Sequence, residues 1–265
     1  MSKSVKILTP EQIKENYHEF FRRVNKFFPE RSEQLIKMYK DIGLDRLGMS
    51  PASSVEHLHN AFPGGYIDHV LRVMDFSVAE YNHAKKLGID VSGFDPRELL
   101  FAAAHHDLGK VGLNGDGNEL YQPNDSEWHR KNMGKLYKIN ENLPFSLVPD
   151  RSLYLLQLYG VKCTWNEWIA IKIHDGLFDE VNKPYYIGFN VHTKQRTFMY
   201  QILHNADMYA SRFEFERWNK LTNSLRTSPV NTVSELYNEV EETSNDESNE
   251  ENNAESKFNE TFGEE

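Results

Sequence analysis

One decapeptide limits this chain more than any other: Phe101-Ala-Ala-Ala-His105-His106-Asp107-Leu-Gly109-Lys110. A run of small apolar residues reads as the end of a buried helix, and burying His-His-Asp there is costly unless a positive group holds them. A metal ion is the usual solution. Gly109 then lets the chain turn off the helix, and Lys110 places one cation just beyond the carboxylate, where an anion bound to that metal would lie. A phosphate is the natural anion.

His106 and Asp107 cannot form a site alone. Adjacent helix residues point about 100° apart, and a metal needs ligands converging from several elements. Partners stand on both sides. Upstream, Gly64-Gly65-Tyr66-Ile67-Asp68-His69 puts His69 near the start of an apolar-periodic helix; downstream come His129, His174 and Asp207.

The order of His69, His106-Asp107 and Asp207 resembles the H...HD...D signature of HD-domain metal-dependent phosphohydrolases. His59, Gly64, Gly65, His69 and the segment from His106 to Lys110 are similar to the HDxGK branch, which includes YhaM-like exoribonucleases and HD-GYP-like phosphodiesterases. The resemblance covers roughly residues 55 to 215. Two departures stand out. The chain leaves no room for the extra nucleic-acid-binding domain of the exoribonucleases, and Asp175-Gly-Leu-Phe stands where a second His is often found.

The resemblance implies an all-α HD-domain helical bundle and hydrolysis of a nucleotide phosphoester or phosphoanhydride by a metal-activated water. Two metals about 3.5–4 Å apart suit such chemistry. On that pattern Asp107 bridges, His69, His106 and Asp207 complete the first site, and His129 and His174 hold the second. Lys110 neutralises the phosphate, while Arg130, Arg212, Lys172 and His59 are candidate substrate contacts. A His and carboxylate mixture favours Mn²⁺ or Fe, with Zn, Co, Ni or Mg also compatible, as one ion or two. The expected partner is a nucleotide: the substrate of a nucleotidase, a (d)NTPase or a small-nucleotide phosphodiesterase. Alternatives are a 3'-to-5' exonuclease on single-stranded RNA or DNA, and an inactive HD-fold nucleotide-binding protein; a homo-oligomer stays open.

Each residue also has a plainer reading. A lone His beside an apolar stripe is more often a hydrogen-bonded core residue than a ligand. His105 is expected to pack or to support the ligands, Asp175 to orient His174 or cap the turn at Gly176, and His204 to support Asp207 or simply be buried. Tyr121, Trp128, Tyr185 and Tyr186 either stack a base or belong to the core and surface.

The net charge of -10 argues against a nucleic-acid partner only until its placement is examined. Residues 234–265 hold twelve acidic residues and one lysine, so the preceding body is close to +1. Glu, Asn and Ser richness predicts a disordered, solubilising tail there. With 39% hydrophobic residues the body can build a core, and the single Cys163 excludes an internal disulfide. The first residues lack an apolar signal run and no stretch reaches membrane-spanning length, which suggests a cytoplasmic protein without membrane contact.

The expected organisation is an N-terminal helical extension over residues 1–50 packed on the core, the catalytic domain over 51–233, and the tail. Helices are expected over 10–28 with Thr9 as cap, 31–43, 66–87, from Asp95 into the His-Asp pair, 149–159, 164–174 and 193–220. Gly112 to Asp125 reads as a rim loop, Ser126 as the cap of a turn bearing His129, and the residues near Gly134 to Ile139 as a small hairpin or strand.

Overall fold

The computed structural model describes residues 8–188 and 190–222. The acidic segment 234–265 and the expected boundary at 233 lie outside the described residues. The architecture is all-α, a bundle of ten α-helices with one two-stranded sheet among the described residues.

Local chemistry places the helices. Helix α1 (Pro10–Phe27) starts at a capping box in which Thr9 accepts from the Gln12 N–H and Gln12 answers to the Thr9 N–H. It buries Phe20, Val24 and Phe27, one face over two turns. Helix α2 (Ser32–Ile42) buries Leu35, Met38, Tyr39 and Ile42 at the same spacing, and the short α3 (Leu44–Met49) follows. Helix α4 (Gly65–Lys86) begins where the chain folds back so tightly that a Cβ on Gly65 would lie 2.1 Å from the Asn60 carbonyl oxygen. Helix α5 (Pro96–His105) opens with Asp95 and Glu98 as a second capping box.

Beyond it, the strands β1 (Tyr121–Pro123) and β2 (Tyr137–Ile139) pair antiparallel, Tyr121 opposite Ile139. The strand near Gly134 therefore does not fold on itself as a tight hairpin. Its partner lies upstream, and α6 (Glu127–Met133), capped by Ser126, fills the connection. Helices α7 (Val148–Leu158), α8 (Trp165–Ile173, capping box Thr164 and Glu167), α9 (Lys183–Tyr186) and α10 (Met199–Thr222) complete the chain. Helix α10 starts six residues later than the sequence suggests: Asn190 caps a separate 3-10 turn over Val191–Thr193, and Lys194 leaves it extended.

Four helices close a ring, with α4 on α5, α5 on α8, α8 on α10 and α10 back on α4. Helix α7 packs on α8 and on the turn after α5, and α1 and α3 lie on α4. One hydrophobic cluster runs through all of them, from Phe20 and Phe28 through Val70, Met74 and Phe101 to Ile171 and Ala206. No described helix is long and apolar enough to cross a membrane.

Candidate metal centre

Each helix of the ring delivers one part of a buried cluster. His69 lies in the second turn of α4, His106 and Asp107 directly follow α5, His174 directly follows α8, and Asp207 projects from α10. His69, His106, Asp107 and His174 are all buried.

The ends of α5 and α8 orient their histidines in the same way. The His106 Nδ1 lies 2.8 Å from the Ala103 carbonyl oxygen and the His174 Nδ1 2.9 Å from that of Ile171, each three residues back. Such carbonyls belong to the last turn of a helix and lack a partner within it. A carbonyl can only accept, so the ring proton sits on Nδ1 and the neutral ring keeps a bare lone pair on Nε2. His69 reaches the same state differently, its Nδ1 lying 3.1 and 3.2 Å from the two Glu214 oxygens.

The three Nε2 atoms converge on carboxylates. His69 Nε2 is 3.1 Å from Asp207 and 3.4 Å from Asp107; His106 Nε2 is 3.4 Å from Asp107 and 3.8 Å from Asp207; His174 Nε2 is 3.6 Å from Asp107 and 3.6 Å from Asp175. None of these approaches gives His69 or His106 Nε2 an aligned hydrogen bond, and both are buried polar atoms without a partner. A buried lone pair facing a carboxylate is unfavourable unless a proton or a cation stands between them. Ligands about 2.1 Å from one ion at 90–109° stand about 3.0–3.4 Å apart, close to the separations here. Three overlapping groups, His69-His106-Asp207, His106-Asp107-His174 and His174-Asp175-Asp207, each keep their donor atoms within 4.8 Å. The donor set therefore fits a divalent ion.

Protonation follows the same logic. Burial opposes a charged His69, yet Glu214, Asp107 and Asp207 raise it well above its ordinary value. Burial likewise opposes charge on His174, but Asp175 and Asp107 lift it to about 9. A proton and a divalent ion therefore compete for the same Nε2 lone pair in each ring. Burial would raise the Asp107 carboxyl, but Lys110 and His106 hold it well below the usual carboxylate range. Asp207 is likewise lowered against the effect of burial, chiefly by His69 and His106. The Lys110 Nζ stands 2.5 Å from Asp107 and 2.8 Å from the His59 Nε2. Burial, Lys110 and His69 push His59 well below its ordinary value, so His59 is the neutral acceptor for Lys110.

Behind His69 lies a polar network that sequence reasoning missed. Glu214 is 1% exposed and is held by the Arg72 Nε at 3.2 Å; Arg72 also pairs with Asp68 at 2.9 Å. Arg217 donates to Asp68 at 2.7 Å and to Asn60 at 2.8 Å, tying α10 to the loop before α4. The available signal was spacing, since Glu214 follows Asp207 by two helical turns and shares its face. Asp175, left between two roles by the sequence, joins the ligand cluster. His204 donates from Nδ1 to the His174 carbonyl at 2.7 Å, tying α10 to the segment that follows α8.

Several expected contacts are not brought to the centre. His129 lies exposed on α6, which buries none of its residues, and it lines a separate hollow with Ser54, Asn124 and Tyr137. Arg130 is also exposed and donates to the Asn124 carbonyl. Arg212 follows Asp207 by five residues, about 140° around the helix, so it turns outward and pairs with Glu216 at 2.8 Å. Lys172 is paired with Asp150 at 2.5 Å. His105 turns away into the core, donating to the Phe101 carbonyl at 2.8 Å and accepting from the Tyr39 hydroxyl at 2.7 Å.

Comparisons with protein-family models, with curated proteins and with solved structures find no match.

Proposed function

We propose that this chain is a divalent-metal-dependent phosphohydrolase that cleaves a phosphoester or phosphoanhydride bond of a nucleotide. The observation that carries the reading is the convergence of three Nε2 lone pairs, two of them buried and unpartnered, on Asp107, Asp207 and Asp175, with Lys110 alongside. The resemblance to HD-domain phosphohydrolases points the same way.

His69, His106, Asp107 and Asp207 would hold one ion, and His174 with Asp175 and Asp107 a second; His129 has no part in it. Mixed nitrogen and carboxylate donors favour Mn²⁺ or Fe over Mg²⁺. A bound ion supplies Lewis acidity to the phosphoryl oxygens and lowers the pKa of a coordinated water toward neutrality.

The chain's own groups do the rest. Asp107, Lys110, Asp175 and Phe178 line a hollow of about 310 Å³ at the mouth of the cluster. Of the three Lys110 protons, one faces Asp107 and one His59, leaving the third for a phosphoryl oxygen. Asp175, with 41% of its side chain exposed, would hold the second ion through one carboxylate oxygen and leave the other to accept the proton of the attacking water.

The test is the full chain reconstituted with Mn²⁺ against mononucleotides, cyclic dinucleotides and labelled single-stranded RNA and DNA. Release of phosphate from mononucleotides, abolished by Asp107→Ala and without oligonucleotide shortening, is the expected result. Shortening of oligonucleotides would move the reading to an exonuclease, and nucleotide binding without turnover to a sequestering protein. Hydrolysis that survives Asp107→Ala would refute the site.

A further inference from the structure

Phe178 is 82% exposed although it follows Asp175 by only three residues. It borders two hollows at once. One is the hollow of about 310 Å³ that reaches Asp107, Lys110 and Asp175. The other, about 460 Å³, is walled by Leu177, Phe178, Tyr186, Gln201, His204 and Met208.

Both walls of the second hollow grow out of ligand-bearing segments. Leu177 and Phe178 extend the segment of His174 and Asp175, while His204 and Met208 flank Asp207 on α10. Leu177 and Met208 are also exposed, at 52% and 45%, so apolar surface faces water beside a highly charged pocket. Large exposed apolar side chains clustered at a cleft mark a ligand surface more often than chance exposure does. The Tyr186 ring is fixed, its hydroxyl donating to the Ile173 carbonyl at 2.9 Å and its edge set against His204. The polar groups are few and directed. His204 gives its Nδ1 proton to the His174 carbonyl and so keeps an Nε2 acceptor, and the Gln201 amide nitrogen is taken by Asn205 at 2.9 Å, which leaves its oxygen.

We propose that this second hollow is the subsite for the nucleobase of the substrate, with Phe178 as the stacking face shared between base and phosphate ends. The inference rests on the phosphohydrolase reading, because it takes the phosphate to lie in the first hollow. A flat, largely apolar group carrying a few hydrogen-bonding edges fits the second hollow, and a bare sugar phosphate would leave its apolar walls in water.

The test is calorimetric binding to the Mn²⁺-loaded full chain of two non-hydrolysable phosphonates, those of AMP and of ribose 5-phosphate, which differ only in the base. Stacking of one base on an aromatic ring corresponds to roughly tenfold or more in affinity. The AMP analogue should therefore bind at least about tenfold tighter than the ribose analogue. Phe178→Ala should remove most of that preference by weakening the AMP analogue several-fold more than the ribose analogue, while Phe178→Trp keeps the preference. The exposure of Phe178 makes loss of fold in these variants easy to exclude by circular dichroism. Equal affinity for the two analogues, a preference that survives Phe178→Ala, or an effect of Phe178→Ala confined to the oligomeric state would overturn the subsite while leaving the phosphate site intact. Failure of both analogues to bind the metal-loaded chain would remove the phosphohydrolase reading, and the subsite with it.

Discussion

Two adjacent histidines with opposite fates show how a single residue's surroundings set its role. His106 faces the cluster with a bare Nε2, whereas His105, rotated by about 100°, is satisfied at both nitrogens inside the core. Burial depresses His105 to about 3, against roughly 6.5 in the unfolded chain. Between those values the unfolded chain takes up a proton that the folded one refuses, so stability is full above about pH 6.5 and falls as the pH drops. This residue alone should contribute a loss of roughly 2 kcal/mol between pH 6.5 and 5. Urea unfolding at the two pH values checks it: the loss should shrink by about that amount in His105→Gln, and an equal loss in both proteins contradicts the assignment. His69 depends on Glu214 for its orientation, and carboxylates in that position typically strengthen metal binding 10–100-fold. Glu214→Ala should weaken Mn²⁺ binding within about that range in chelator competition. An unchanged affinity would mean that Glu214 is only a buried partner for Arg72.

Between elements, the placement of His106 and Asp107 depends on how the turn after α5 meets α7. The Ser152 hydroxyl accepts from the Gly109 N–H at 2.8 Å and lies 3.0 Å from the His106 and Val148 carbonyls. A Cβ on Gly109 would sit 2.3 Å from the Val148 carbonyl oxygen. Gly109→Ala must push the turn off α7, so it should lower Tm by several degrees and reduce Mn²⁺ uptake together. Ser152→Ala strands a buried N–H and should cost about 1–3 kcal/mol. If Gly109→Ala melts and binds Mn²⁺ like the unaltered chain, the contact does not hold the ligands. The helices themselves were largely legible, because Thr9, Asp95 and Thr164 announce their starts and apolar spacing marks their buried faces. The late start of α10 was not, since the Asn190 cap satisfies a separate local turn that apolar periodicity does not register.

Across the whole molecule, the four ring helices bring together His69, His106, Asp107 and Asp207, residues spread over more than half the chain. Their order was readable because the residue types are unusual on apolar faces. What was not readable was direction. His129 carries the same side chain as His174, but it sits on a helix with no buried face and so never turns inward. Glu214 looks like an ordinary charged residue until packing brings it against His69. The near-neutral body and acidic tail bear on partners, not on this convergence.

The most direct test is the metal content of the purified full chain after exposure to Mn²⁺ and removal of excess ion, measured by elemental analysis beside Asp107→Ala. One or two ions per chain, lost in the variant while its circular dichroism stays helical, is the expected outcome. A chain that takes up no divalent ion, or an Asp107→Ala variant that retains the full complement, would contradict the account.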